Sequence, residues 1–267
     1  MPELPEVETI VRKIDPEVTG KEILSSELRW NGSLAYPTPL KFSQSVGGQF
    51  IHSVSRRGKF IILKLNTHHI LFHLRMSGDL FIRSENKAAE KHDRVILNLS
   101  GDNSLVFQDP RKFGRMWLTQ APESILDKLG PEPLGKQFTA DLFYSMLNKR
   151  RRQLKPLLLD QSFLAGMGNI YTDEALFAAK IHPLRISDSL TIEECKSLWK
   201  AIRDILQEGI KRNGASIDWV YKGGDFQNHF NVYGRRGETC PRCGSIIQKI
   251  SVGQRGTHFC PNCQQGG

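Results

Sequence analysis

The chain has 267 residues, 39% hydrophobic and 24% charged, which suits a folded protein of one large or two modest domains and argues against a disordered or fibrous chain. No run of about 18 apolar residues is present, so neither a membrane-spanning helix nor a membrane partner is expected. Lys and Arg number 37 against 28 Asp and Glu, a net +9 that is compatible with a nucleic-acid partner without proving one.

The N-terminus, MPELPEVETIVRK, lacks the basic-then-apolar order of a secretory signal, so a cytoplasmic setting is expected. Val7, Ile10, Val11 and Ile14 follow helical spacing and predict a short helix over 3–14. From about Lys21 to Leu118 the pattern changes to strands. FIILKL (60–65), HILFHL (69–74), RVILNL (94–99) and SLVFQ (104–108) are separated by turn-prone pairs such as Asn66-Thr67 and Asp102-Asn103. Hairpin-length connections between so many strands suggest an antiparallel sandwich or barrel.

GPEPLGKQ (130–137) is rich in Pro and Gly and reads as a linker. Beyond it the period becomes helical, with helices expected at about 139–148, 153–162, 169–180 and 192–211. Thr191 and Glu194 have capping-box spacing ahead of an apolar stripe of Ile192, Cys195, Leu198, Trp199, Ile202 and Ile205. Cys195 reads as a small core residue. Residues 214–226 form a Gly-rich loop. The positive charge is uneven: residues 211–267 hold eight Lys/Arg and three Asp/Glu. A second basic run, Lys149 to Arg152 with Lys155, reads equally well as a solvated helix face.

Cys240, Cys243, Cys260 and Cys263 are spaced C-x2-C-x16-C-x2-C, the pattern of a four-thiolate zinc site. Four protein ligands leave no open coordination position, so one structural zinc is expected. The hairpin between the Cys pairs carries Lys249, Arg255 and His258, a basic tip suited to phosphate. At the other end of the chain, removal of Met1 would expose the secondary amine of Pro2, a nucleophile partly unprotonated near neutrality. Glu3 and Glu6 lie within one helical turn of it and could move protons, although acids at that place also complement a helix dipole.

PELPEVE resembles the opening signature of the formamidopyrimidine-DNA glycosylases, which excise oxidised purines. The resemblance continues through SRRGK (55–59), HLRMSG (73–78), KHD (91–93), DPRKFG (109–114), LGPEPL (129–134), LKPLLLDQ (154–161), AGMGNIYTDE (165–174) and the cysteine ribbon. It covers essentially the whole chain in order. It implies an α+β protein with an N-terminal antiparallel β-sandwich and flanking helices (1–129). A linker (130–137), a helix–two-turn–helix domain (138–232) and a zinc ribbon (233–267) follow, with damaged double-stranded DNA held by a monomer in the cleft between domains.

The resemblance also implies roles. Pro2 matches the nucleophile that attacks C1′, and Glu3 the acid/base group assisting sugar-ring opening. Glu6 supports the N-terminal helix and pocket, and Lys59, in the SRRGK hairpin loop, contacts phosphate near the lesion. Lys155, Asn169 and Arg255 match phosphate-gripping positions, and His73 and His92 match further DNA contacts. Asn169 follows Gly166 and Gly168 and opens a helix, an anion-binding arrangement in its own right. Met76, Arg111 and Phe113 match residues that fill the gap left by a flipped nucleotide and read its orphaned partner. Glu174 orients the second-domain site, and Ser216, Ile217 and Tyr221 are candidate base contacts. The match is partial over 214–226, which carries Trp219 where a smaller aromatic is expected and is a few residues short.

Two rivals stand beside this reading. An endonuclease VIII type would prefer oxidised pyrimidines, but PELPE and the Met/Arg/Phe set argue against it. A non-catalytic DNA-binding protein would retain Met1.

Overall fold

A computed structural model of the chain describes residues 1–84, 87–216 and 223–266. The candidate base contacts Ile217 and Tyr221, and Trp219, lie outside the described residues. Two compact units are present, one of residues 1–128 with 216–224, the other of residues 129–215 with 225–267.

In the first unit, α1 (Leu4–Val18) is followed by β1 (Ile23–Leu28), β2 (Leu34–Tyr36) and α2 (Pro39–Val46). Seven strands follow: β3 (Ser53–Arg57), β4 (Phe60–Lys64), β5 (His69–His73), β6 (Asp79–Ser84), β7 (Asp93–Leu99), β8 (Asn103–Gln108) and β9 (Arg115–Thr119). They form a four-stranded sheet ordered β1-β7-β8-β6 and a five-stranded sheet ordered β2-β9-β5-β4-β3. One apolar core draws Leu80, Val95, Leu97, Leu105 and Phe107 from the first sheet and Val54, Ile61, Leu63, Ile70, Phe72, Met116 and Leu118 from the second. This is the expected sandwich, antiparallel except that β2 runs parallel to β9.

The apolar face of α1, Val7, Ile10, Val11, Ile14 and Val18, joins the same core. This helix packs against β3 and β6, an edge strand from each sheet, while α2 packs on the opposite edge strand β1. Helices laid on sheet edges remove the unpaired backbone groups that invite aggregation. The first helix runs four residues beyond the expected Ile14, with Pro16 tolerated in its last turn. The uniform strand reading of 21–118 also missed α2, although Thr38-Pro39 is an ordinary helix start.

Arg83 and Asp93 form a buried charge pair in this unit, bidentate at 2.5 and 3.0 Å. Burial alone would raise the Asp93 carboxyl, but bonds from Arg83, the Glu90 amide and Gln108 hold it below its ordinary value. A depressed carboxylate stabilises the fold above its unfolded pKa of about 3.9, and that contribution is lost as pH falls through the lower folded value. Arg83→Met is therefore expected to cost about 3 kcal/mol at pH 7, because it strands a buried charge. Urea unfolding should show this gap closing below about pH 4. An equal gap at pH 3 and pH 7 would contradict it.

The second unit holds α3 (Ala140–Asn148), α4 (Leu154–Leu159), α5 (Asn169–Ala178), α6 (Ile192–Lys211) and a hairpin of β10 (Gln248–Val252) and β11 (Arg255–Phe259). A one-turn helix over Glu123–Leu126 lies between β9 and this unit in sequence. The helix expected over 153–162 stops at Leu159, because the Asp160 carboxylate accepts from the Ser162 amide (3.0 Å) and hydroxyl (2.6 Å) and turns the chain. Residues 130–137 are tied to this unit, with Gly130 donating to the Gln161 carbonyl and Arg203 to that of Pro133. The Thr191–Glu194 capping box is present. Cys195 is fully buried on α6, and burial pushes its thiol up to about 12, the inert core residue expected. No helix among the described residues is long and apolar enough to cross a membrane.

Candidate active site and nucleic-acid interface

Glu3 is the N-cap of α1 and Glu6 its third residue, and the two form a capping box in which Glu6 Oε2 accepts from the Glu3 amide at 2.8 Å. Pro2, Glu3 and Glu6 are all buried. Glu6 thus holds backbone, and the Glu3 carboxylate accepts from the Glu6 amide in the same box. Farther along α1, Glu8 pairs with Arg56 (3.1 Å) and Asp15 accepts from the Val54 amide (2.9 Å). Going towards the N-terminus of α1 therefore goes with going up β3 towards its turn.

Gly58 has φ 56°, as the first central position of a two-residue type II′ hairpin requires. Lys59, although it lies in the hairpin loop as expected, is only 5% exposed. His73, opposite Phe60 in the register and edge-on to its ring at 4.9 Å, is also buried. Desolvation first, then the positive charges of Arg75 and Lys59, push its imidazole down to about 3. Its Nδ1 accepts from the Arg75 amide at 3.1 Å, so the single proton sits on Nε2. His73 is a neutral donor, not a cation. His92 is half-buried.

Met76 and Phe113 are 39% and 49% exposed, apolar side chains on loops rather than in the core. Arg111 is exposed too, its guanidinium 5.0 Å from the centre of the Phe113 ring. The fully buried Asp109 joins the two loops. It accepts from the Ser77 hydroxyl, from the Arg111 amide at 3.2 Å and from the Gly114 amide at 2.7 Å. Sequence reasoning passed over Asp109 and Ser77, although Asp before Pro is a turn former that bonds its own backbone two residues on.

In the second unit, Lys155 Nζ donates to Asp173 Oδ1 (2.5 Å) and, with Asn169 Nδ2, to the Gly256 carbonyl, both at 3.1 Å. Three expected phosphate-gripping positions, Lys155, Asn169 and Arg255, are thus gathered at one hairpin. Their parts differ. Arg255 is exposed, whereas Lys155 is fully buried and braces the hairpin rather than meeting solvent. Asn169 is the first residue of α5, with Gly168 as N-cap, so its side chain does not cap the helix.

Glu174 is fully buried and its carboxylate accepts from the amides of Asn231, Val232 and Tyr233 and from Asn231 Nδ2. It clamps that segment. Its neighbour Asp173, unnoticed in the sequence, also accepts from the His258 amide at 2.9 Å. The Ser216 hydroxyl donates to the Gly224 carbonyl (3.0 Å) and accepts from its amide (2.8 Å).

The four cysteine sulfurs lie within 4.8 Å of one another, with Cys240–Cys263 at 3.9 Å and Cys243–Cys260 at 3.4 Å. These distances bracket the ~3.8 Å edge of a tetrahedron with ~2.3 Å Zn–S bonds and far exceed a disulfide. Amides of Arg242 and Cys263 donate to sulfur, as they would to thiolates. The donor set suits one zinc.

A β-sandwich with an acid pair at its N-terminal helix, followed by a helical unit and a cysteine ribbon, is the build of a base-excision repair DNA glycosylase. The chain belongs to the formamidopyrimidine-DNA glycosylase family. Residues 1–116 match that enzyme's N-terminal domain, 129–220 its H2TH domain, and 237–266 the zinc finger found in FPG and IleRS. A formamidopyrimidine-DNA glycosylase of Protochlamydia amoebophila is 43% identical over 99% of this chain and 100% of its own. One from Herpetosiphon aurantiacus is 42% identical with the same coverage. The Lactococcus lactis protein, solved with DNA containing N7-benzyl-Fapy-dG, superposes with a TM-score of 0.93 at 39% identity, over 99% of this chain and 100% of that one. Abasic-site lyase activity is characteristic of the family.

Proposed function

We propose that this protein excises 8-oxoguanine opposite cytosine and formamidopyrimidines from duplex DNA, with the Pro2 amine as nucleophile. The observation that carries this reading is the buried Pro2–Glu3–Glu6 start of α1, held by its capping box. Until Met1 is removed the Pro2 nitrogen is an amide and cannot attack. Once free, it bonds to C1′ as the C1′–N bond to the base breaks and the base leaves protonated. Glu3 passes a proton to the ring oxygen as the sugar opens to an iminium. The iminium acidifies C2′, so loss of that proton expels the 3′ phosphate, and a second elimination expels the 5′ phosphate. Lys59 and His73 supply a cation and a neutral donor for phosphate near the lesion. Arg255 and Asn169, braced by Lys155, grip the backbone farther along. Bound at the four cysteines, zinc supplies folding energy to the ribbon and no chemistry to the sugar.

Duplexes carrying 8-oxoguanine, a formamidopyrimidine or an oxidised pyrimidine test this reading side by side. The purine lesions should be cut fastest, leaving phosphate at both ends of a one-nucleotide gap. Faster excision of the pyrimidine would favour an endonuclease VIII specificity. Extrusion of the lesion unstacks it at a cost of a few kcal/mol, which an apolar wedge partly returns. Phe113→Ala or Met76→Ala should therefore slow excision from duplex DNA at least tenfold, while binding to undamaged DNA, dominated by phosphate contacts, changes little. Wild-type excision by either variant would remove that residue from the wedge.

A further inference from the structure

Asp109 holds the backbone of the loop that carries Arg111 and Phe113, but the residue between them is held by another part of the fold. Lys112 has φ 62°, a conformation that side chains rarely adopt. Its ammonium lies 4.1 Å from the centre of the Trp30 ring, while Arg111 lies over Phe113. Neighbouring cations of one loop thus engage two different rings. The indole lies close over Gly32, where an added Cβ would come within 2.7 Å of Trp30 Nε1, so glycine makes room for the ring.

The backbone repeats this connection. The Trp30 and Arg29 amides donate to the Arg94 carbonyl at 3.3 and 2.9 Å. Arg94 Nε in turn donates to the Asp109 carbonyl at 2.7 Å, and another of its nitrogens reaches the Pro110 carbonyl at 3.4 Å. Trp30 and the loop share one buried hub. Trp30 itself is 39% exposed and adds little to the core, so packing alone does not account for a tryptophan there. Among aromatic side chains tryptophan attracts a cation most strongly.

We propose that Trp30 is a positioning residue for this loop: by holding Lys112 it fixes the stretch between Arg111 and Phe113, and so sets how they meet the gap left by an extruded nucleotide. The proposal rests on the reading of Arg111 and Phe113 as gap-filling residues. Trp30→Ala and Lys112→Met are compared in single-turnover excision from an 8-oxoguanine:cytosine duplex and in cleavage of a preformed abasic site in single-stranded DNA. Each should slow duplex excision roughly two- to fivefold, the worth of an exposed cation–π contact. The double variant should be no slower than either single, because both remove one interaction. Trp30→Phe and Lys112→Arg should recover most of the rate. Single-stranded cleavage, which leaves no orphaned partner, should proceed at the wild-type rate.

Wild-type duplex excision by either single variant, additive losses in the double, or equal slowing on the single strand would overturn the proposal. Should Trp30→Ala fail to fold, the exposed Lys112→Met decides on the same two substrates. Phe113→Ala separates the two readings. If it excises normally the wedge itself is wrong, whereas a slow Phe113→Ala beside a normal Trp30→Ala overturns this proposal alone.

Discussion

Borohydride is expected to join this protein irreversibly to DNA carrying 8-oxoguanine, through the nitrogen of Pro2. Reduction of an iminium converts a transient C1′–N link into a stable amine, so the adduct should map to the N-terminal peptide. Lys59, buried in the same unit, is the competing amine. An adduct on Lys59 would overturn the assignment. Retention of Met1 should abolish trapping and excision together, because it leaves no amine at Pro2. Glu3→Gln separates chemistry from folding. The amide keeps the shape and an acceptor at the helix N-cap but cannot deliver the proton, so DNA binding should persist while excision slows on the order of a hundredfold. Robust excision by protein that retains Met1 would exclude Pro2 as the nucleophile.

Removal of zinc should cost most of the DNA affinity without touching the sugar chemistry. Among the described residues the ribbon's apolar cluster joins Val232, Cys240, Ile247 and Cys260 to Phe177 of α5, with Cys263 packed against it, and three of these are the metal's ligands. So small an apolar cluster does not hold a hairpin against its chain entropy, and a structural zinc supplies that energy instead. Without the metal, β10 and β11 should disorder, taking Arg255 and the Gly256 carbonyl that anchors Lys155 and Asn169. Elemental analysis should find one zinc per chain. Chelated protein, or Cys243→Ser, should bind damaged duplex at least tenfold more weakly, with a salt dependence shallower by roughly one to two phosphate contacts. Metal-free protein with full affinity would refute this.

Sequence alone determined whatever rests on residues close together in the chain. Two Cys pairs each sit on one turn, so their spacing announces a metal site. The stripe of the last helix and its capping box lie within a few turns, and their period carries the prediction. Pro2, Glu3 and Glu6 share one helical turn, and Met76 and Phe113 sit in sequences that turn rather than pack. Strands with a strong apolar run, β4, β5, β7 and β8, were legible. The edge strand β3, SVSRR, was not, because an edge strand with one buried position gives little pattern. Tertiary structure decided the rest, since burial and pairing depend on which distant segments meet. Lys59 reads as a surface cation until the β4–β5 register sets its neighbour Phe60 opposite His73 and the fold buries it. Lys155 reads as a phosphate-gripping residue and Glu174 as one that orients its site, but that Asp173 and Gly256 hold the first and the 231–233 amides the second was not legible. The Ser77–Asp109 clasp spans 32 residues and Lys155–Gly256 spans 101, separations over which no periodicity survives. Local pattern reports the free energy of a turn or a helix face, whereas a long-range polar bond exists only once the core has brought its partners together.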